Sequence, residues 1–344
     1  MRMKKSIVLF ISLVFFCNGC REKKTELSGA GATFPLPYYN MAFKSFQELK
    51  GIPVSYGGIG SGGGIRSLKD GIVDFAGTDA YLTDEEMSEM NEVVHVPVCM
   101  GAVVVSYNLP GIKELNLTGE IVSAIFMGKI KKWNDLSIQS VNPGLTLPAK
   151  EITPVYRSDG SGTTFVFTDY LSKANPEWKI ALGRGKSVHF TFGIAAKGNP
   201  GVAGIIAQTE GAIGYMGSEY AFAQKVPVAR IQNRNGEFIY PSVAAISAAS
   251  QGDIPEDTRT MITHSAASGA YPISCFTWLL AYKEQDYANR NEMQAKATVD
   301  LLRYMLSDEA QNLTTKVHYA PLSADVKAKA EKAVSAIHYN SRPL

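Results

Sequence analysis

The sequence predicts an α/β protein with mainly parallel sheets. Segments rich in β-branched residues alternate with Gly-rich turns and helical patterns along the chain, and this alternation is typical of βαβ units. The 344 residues are 45% apolar and 19% charged, which is sufficient for two domains that each have a core. We therefore expect two α/β domains, with no repeat period and no low-complexity segment.

The first 20 residues predict an export signal. "MRMKK" precedes the apolar run "SIVLFISLVFF", which is too short for a bilayer span of about 20 residues but typical of a signal-peptide core. Gly19 directly before Cys20 resembles the lipobox of bacterial lipoproteins, in which Cys20 becomes lipidated, although the residues before them match it imperfectly. A plain cleaved secretory signal is the alternative. We expect residues 21–26 to form a polar tether.

Strands and helices alternate through the first 108 residues. Pro35 and Pro37 are tolerated in the first turn of a helix, and Phe43 and Phe46 continue it at helical spacing. Thr83, followed by three acidic residues, is expected to cap a further helix. A short helix is predicted in "GGGIRSLKDG", and strands in "ELSGAGATF", "IPVSY", "IVDFAGTDA" and the long run "VVHVPVCMGAVVVSYN".

The alternation continues in the rest of the chain. Thr118 is expected to cap a helix that carries Ile121 and Ile125. Long helices are predicted over 291–307 and 324–338. The remaining predictions are the strand "EITPVYR" before the helix of "SDGSGTTFVFTDYLSKA", the helix "KGNPGVAGIIAQT" before the strand "GAIGYM", and the buried run "ISCFTWLLAY".

Charge, histidine and cysteine content exclude several functions. The net charge is only +2, which gives no support for nucleic-acid binding, since that usually needs a clustered basic face. The five histidines are scattered and no metal-binding spacing occurs, so we expect no metal and no cofactor. Cys99 and Cys275 lie in apolar runs, where buried free thiols are the default, although a disulfide between them stays open.

Three helix starts share one design. "ATFPLP" (32–37), "GSGGGI" (60–65) and "DGSGTTF" (159–165) each place small or hydroxyl residues where a helix begins. The first N–H groups of a helix lack internal partners, and the helix dipole adds partial positive charge there. Gly lets the backbone approach an anion, and Ser or Thr adds a donor. One such start is an ordinary cap, but three indicate convergence on one small anion.

Two charged positions refine this expectation. Arg157, at the end of a predicted strand, can offer a forked contact to an oxyanion, and Asp159 can orient it or cap the following helix. Asp79 is unexpected, because a carboxylate repels an anion unless that anion carries a proton to donate. Hydrogen phosphate carries such a proton and sulfate does not. The alternative is that Asp79 caps the turn that follows it.

The chain resembles the periplasmic phosphate-binding proteins of high-affinity phosphate ABC importers. The motifs that carry the resemblance are "GAGATFP", "GIGSGGG", "DFAGTDA" and "RSDGSGTTFVFTDYL", with "IFMGKIKKWND", "KGNPGVAG" and "GAIGYM" in support. The resemblance implies a type II periplasmic-binding-protein fold, in which two α/β lobes flank a ligand cleft and are joined by two crossover strands near 100–108 and 270–280. The lobes would comprise 27–107 plus 271–344, and 108–270.

The resemblance also implies ligands and partners. By motif, the family's phosphate-binding residues fall on Ala32, Thr33, Phe34, Ser61, Asp79, Arg157, Asp159, Ser161, Gly162 and Thr163, with Asp159 as the partner of the arginine. We expect a non-enzymatic monomer that is anchored by lipid in the periplasm or cell envelope. It would bind inorganic phosphate and deliver it to the transmembrane permease subunits of an importer.

Three other functions stay open. The first is a binding protein for another tetrahedral oxyanion, such as sulfate. The second is an exported serine hydrolase or phosphatase that uses Ser161, although "DGSGT" lacks the Gly-x-Ser-x-Gly pattern. The third is a dinucleotide-dependent dehydrogenase, because Gly58, Gly60 and Gly63 fit the spacing Gly-x-Gly-x-x-Gly.

Overall fold

The computed structural model describes residues 25–344, and the predicted signal peptide, Cys20 and most of the tether lie outside this range. The strands of the described chain are β1 (Leu27–Gly31), β2 (Val54–Gly58), β3 (Phe75–Thr78), β4 (Val93–Tyr107), β5 (Asn116–Leu117), β6 (Thr153–Arg157), β7 (Ile194–Ala196), β8 (Ala212–Gly217), β9 (Arg230–Gln232), β10 (Phe238–Ile239), β11 (Ser274–Tyr282), β12 (His338–Tyr339) and β13 (Arg342–Pro343).

The described residues also form thirteen α-helices. They are α1 (Leu36–Lys50), α2 (Ser61–Lys69), α3 (Asp84–Ser88), α4 (Gly119–Phe126), α5 (Leu136–Ser140), α6 (Gly162–Ala174), α7 (Pro176–Ala181), α8 (Gly198–Gln208), α9 (Ser218–Gln224), α10 (Val243–Ala249), α11 (Glu292–Leu306), α12 (Asp308–Thr314) and α13 (Ala324–Ser335), with a 3₁₀ turn at Thr315–Val317.

Eight strands form one sheet in the order β2-β1-β3-β11-β4-β8-β6-β7. β1 runs parallel to β2 and β3, and β6 runs parallel to β7 and β8. Between these two parallel groups, β11 pairs antiparallel with β3 and β4, and β4 pairs antiparallel with β8. The predicted α/β class with mainly parallel strands is therefore confirmed.

The long strand β4 belongs to both parts of the sheet. Its first part pairs with β11, from Val93 opposite Tyr282 to Ala102 opposite Ser274. Its last part, from Val103 to Tyr107, pairs with β8. All 15 residues are buried, which explains the continuous apolar run, because a strand that is covered on both faces needs no polar alternation.

Local capping signals mark the helix starts as predicted. The Thr83 hydroxyl accepts the N–H of Glu86 in a capping box before α3, and the Thr118 hydroxyl accepts the N–H of Ile121 before α4. The helix predicted over 291–307 is confirmed as α11, which Asn291 and Ser307 flank. The helix α12, which Ser307 caps, was not predicted, and α13 ends at Ser335 rather than at residue 338.

The described residues carry neither a disulfide nor a metal cluster. Cys99 and Cys275 are buried free thiols, so the default expectation for them is confirmed. Within residues 25–344, no group of three His, Cys, Asp or Glu side chains is arranged to hold a metal. No helix in the same range has the length and apolar character needed to cross a bilayer.

Candidate anion-binding site

The three predicted helix starts meet at the carboxyl ends of the strands, where open α/β sheets bind their ligands. The loop after β1 leads into α1, the loop after β2 into α2, and the loop after β6 into α6. The N–H of Gly162 donates to Oγ of Ser61 at 3.1 Å, and the N–H of Gly62 donates to the carbonyl of Gly160 at 2.9 Å. Loops from the two parallel groups of strands are therefore in direct contact.

In the first loop, the N–H and the carbonyl of Ala32 both form hydrogen bonds within the protein. Its N–H donates to the carbonyl of Gly77 at 2.8 Å, and its carbonyl accepts the hydroxyl of Tyr56 at 3.1 Å. By contrast, the N–H groups of Thr33 and Phe34 find no hydrogen-bond acceptor among the described residues. The backbone donors of this loop that can meet an anion are those of Thr33 and Phe34.

In the other two loops, serine hydroxyls lie at the helix starts. Ser61 and Ser161 are both fully buried, and Oγ of Ser161 caps α6 by accepting the N–H of Thr164 at 3.0 Å. Each of these oxygens accepts a hydrogen bond, so each hydroxyl hydrogen is available for donation. Ser161, and not Asp159, caps α6.

Gly162 lies where the loop after β6 contacts Ser61 and Asp79. A Cβ at this position would be 2.5 Å from Oγ of Ser61 and 2.8 Å from both the N and Oδ2 of Asp79. Any side chain at this position would push Ser61 and Asp79 away from the loop after β6. Glycine is therefore required by the close approach itself.

Arg157 and Asp159 form a forked ion pair beside the site. Nε of the arginine donates to Oδ1 at 2.8 Å, and Nη2 donates to Oδ2 at 2.5 Å. Oδ1 also accepts the N–H of Gly198 at 3.0 Å. Burial opposes ionisation of Asp159, but the hydrogen bonds and charge of Arg157 hold its pKa below the ordinary value. Nη1 reaches the hydroxyl of Thr163 at 3.3 Å, so Asp159 fixes the guanidinium as a donor that points toward that hydroxyl.

Asp79 is a buried acid with one oxygen left without a partner. Its Oδ1 accepts the hydroxyl of Thr277 from β11, whereas Oδ2 has no hydrogen-bond partner among the described residues. Burial raises the pKa of Asp79 from 3.8 to about 7, although the Thr277 hydroxyl, the charge of Arg157 and the Thr163 hydroxyl act in the opposite direction. The turn after β3 is capped by Thr78, whose Oγ1 accepts the N–H of Ala80 at 3.1 Å. The capping alternative for Asp79 is therefore wrong.

The sequence does not identify Thr277 and Asn199 as site residues. Thr277 lies in the buried run "ISCFTWLLAY". Asn199 lies in "KGNPGVAG", which predicts a helix and supports the family resemblance but indicates no ligand residue. Asn199 is fully buried and contacts Thr33 and Thr163. No local signal could have found them, because their partners are distant in sequence. Asn199 lies 166 residues from Thr33, and Thr277 lies 198 residues from Asp79.

A family model gives the class of protein to which this fold and buried donor site belong. A family model described as "PBP superfamily domain" matches residues 21–309, so the chain belongs to the PBP superfamily.

Curated relatives identify the family within that class. The phosphate-binding protein PstS of Xylella fastidiosa (strain Temecula1) is 37% identical over 316 residues, which cover 90% of this chain and 85% of the relative. The phosphate-binding protein PstS of Haemophilus influenzae is 36% identical over 333 residues, which cover 95% of this chain and 96% of the relative. The chain belongs to the PstS family of phosphate-binding proteins.

Solved structures agree on the fold. The phosphate-binding protein from Stenotrophomonas maltophilia matches with a TM-score of 0.69 at 22% identity, covering 90% of this chain and 93% of that one. A high-affinity periplasmic phosphate-binding protein, PfluDING bound with phosphate, matches with a TM-score of 0.71 at 23% identity, with the same coverage of 90% and 93%.

Proposed function

We propose that this protein binds inorganic phosphate between two lobes and delivers it to an ABC-type phosphate importer. The observation that carries the proposal is the composition of the buried site. Backbone N–H groups, hydroxyls and one guanidinium provide donors, and Oδ2 of Asp79 is an unpartnered acceptor among them. The names of the PstS relatives support the same ligand.

The residues proposed to hold the ligand come from both proposed lobes. Thr33, Phe34, Ser61 and Asp79 belong to the proposed lobe of residues 27–107 plus 271–344. The other lobe, residues 108–270, supplies Arg157 with its partner Asp159, and Ser161, Gly162 and Thr163 at the start of α6. Because a ligand held from both sides binds the closed form more tightly than the open form, phosphate would favour closure. The closed, loaded protein would dock on the permease subunits.

Asp79 would select for a protonated anion. Hydrogen phosphate can donate its proton to Oδ2, whereas sulfate has no proton and would face an unpaired carboxylate oxygen. A site that leaves a buried polar group unpaired rejects the wrong ligand strongly. This selection favours phosphate over the rival reading of a sulfate-binding protein.

Two enzymatic alternatives find less support. Oγ of Ser161 serves as a helix cap, and no histidine among residues 25–344 forms a hydrogen bond with it, so a hydrolytic serine would lack a visible base. In the second loop, the N–H of Gly62 is used by Gly160 from across the cleft, which leaves that donor unavailable to a dinucleotide pyrophosphate. A binding protein without catalysis fits these contacts best.

Export and anchoring complete the proposal. The signal-like N-terminus and Gly19–Cys20 favour a protein that is exported to the periplasm or cell envelope and anchored through lipid on Cys20. We propose that it functions there as a monomer. Metabolic labelling with a fatty-acid analogue, compared between wild type and Cys20→Ser, tests the anchor. Equal labelling of both would contradict it.

Titration calorimetry tests the ligand. Protein is first stripped of bound phosphate and then titrated with phosphate and with sulfate, for wild type and Asp79→Asn. We expect wild type to bind one phosphate and to discriminate against sulfate, and Asp79→Asn to lose most of that discrimination. Absence of phosphate binding by wild type would refute the proposed function. An unchanged preference in Asp79→Asn would refute only the role of Asp79.

A further inference from the structure

Asn199 is a buried asparagine whose hydrogen-bonding groups are all used. Its Oδ1 accepts the N–H of Gly217 at 3.1 Å. Because that N–H can only donate, the amide oxygen must face it, and this fixes the orientation of the side chain. The two hydrogens of Nδ2 therefore point the other way, toward Thr33 at 2.9 Å and Thr163 at 3.2 Å.

The hydroxyl of Thr33 receives two hydrogen bonds. Oγ1 accepts the backbone N–H of Asn199 at 3.1 Å as well as its Nδ2. A hydroxyl has two lone pairs and one hydrogen. With both lone pairs occupied by donors, the Thr33 hydroxyl can act only as a donor toward any further group.

The hydroxyl of Thr163 is constrained in the same way from the other side of the cleft. Its Oγ1 accepts Nη1 of Arg157 at 3.3 Å and Nδ2 of Asn199. Its hydrogen is left for an anion oxygen or for the neighbouring carboxylate of Asp79, whose ionised form it favours. In both cases the hydroxyl donates.

We propose that Asn199 is a positioning residue for specificity, because its amide holds the Thr33 and Thr163 hydroxyls as obligatory donors across the cleft. The proposal rests on the proposed phosphate-binding function. A freely rotating hydroxyl can accept as readily as donate, so it can adapt to differently protonated ligands. With both hydroxyls held as donors, Asp79 is left as the side-chain acceptor for an anion's proton.

A double-mutant cycle measures this coupling. Phosphate affinity is determined by calorimetry for wild type, Asn199→Ala, the pair Thr33→Val with Thr163→Val, and all three changes combined. We expect Asn199→Ala alone to weaken phosphate binding by about tenfold, the effect of one hydrogen bond to a charged group. We expect little further loss when it is added to the valine pair, since residues that act through one another are non-additive.

Asn142 provides a matched control. It is also buried and bonded through its side chain, by accepting the N–H of Asn116 and donating to the carbonyls of Asn116 and Ile138, but it contacts none of the proposed site residues. Asn142→Ala should lower the urea midpoint without changing phosphate affinity. If Asn199→Ala behaves in the same way, Asn199 has only a structural role and the proposal is overturned.

Two further results separate the possibilities. If the alanine variant does not fold, Asn199→Asp is nearly isosteric and presents an acceptor where the amide donates, so it should bind phosphate far more weakly than wild type. Wild-type affinity in this variant, or additive losses in the cycle, would overturn the proposal while the function stands. If wild type itself binds no phosphate, both the function and this inference fail.

Discussion

Replacing Asp79 by Asn should stabilise the ligand-free protein at alkaline pH. The carboxyl group is buried and its Oδ2 lacks a partner, so its charged form is poorly solvated in the folded state. Burial raises its pKa from 3.8 to about 7. An acid with a raised folded pKa retains its proton while the unfolded chain has already lost it, so stability falls as pH rises between those two values.

The size of the effect follows from the two pKa values. One pKa unit corresponds to about 1.4 kcal/mol, so the full penalty above the folded pKa is about 4 kcal/mol. Integrated between about pH 5 and about pH 8, the loss amounts to about 3 kcal/mol. Glu219 is also buried, and burial raises its pKa to about 8. Glu219 is present in both proteins, so only the part of its pKa shift that the charge of Asp79 causes differs between them.

Urea unfolding of phosphate-stripped protein at about pH 5 and about pH 8 provides the assay. Wild type should lose about 3 kcal/mol more than Asp79→Asn between these conditions. Asp169→Asn is a control whose effect should not change between these two conditions. Burial opposes ionisation of Asp169 also, but Lys173, Arg184 and the Thr263 hydroxyl hold its pKa below the ordinary value, so above about pH 4 this variant should be less stable than wild type by a constant amount. Parallel pH curves for wild type and Asp79→Asn would show that the buried Asp79 does not retain its proton in the folded protein.

Three further predictions concern ligand binding. Sulfate should compete better with phosphate as pH falls below about 7, because protonated Asp79 becomes a donor; a pH-independent sulfate inhibition constant would contradict this. Arg157→Lys loses the fork held by Asp159 and should weaken phosphate binding about ten- to hundredfold by calorimetry, whereas unchanged affinity would place the guanidinium outside the site. Gly162→Ala should reduce affinity at least tenfold, because its Cβ would meet the opposite wall, whereas Gly204→Ala, with open space around it, should not. Equal affinities for the two alanine variants would show that Ser61 and Asp79 do not approach Gly162 closely in the phosphate-bound protein.

Features with short-range causes could be predicted from the sequence. The helix after Thr83 starts where predicted, because the capping box needs only Thr83 and Glu86, three residues apart. The buried course of β4 follows from its mostly apolar run, in which His95 and Ser106 are polar. The ion pair of Arg157 with Asp159 could also be predicted, because only one residue separates them in the sequence.

Features that depend on strand order could not be predicted. Thr277 reaches Asp79 only because β11 lies next to β3 in the sheet. Asn199 reaches Thr33 only because loops from the two parallel groups come together. The end of α11 at residue 307 was predicted, but the short helix α12 was not, although Ser307 caps it by accepting the N–H of Ala310.

A crystal structure of the protein grown with phosphate would locate the anion. We expect one phosphate between the proposed lobes, within hydrogen-bond distance of Ser61, Arg157 and Ser161, with one of its oxygens within hydrogen-bond distance of Oδ2 of Asp79. A phosphate bound elsewhere, or one whose oxygens avoid Asp79, would contradict this expectation.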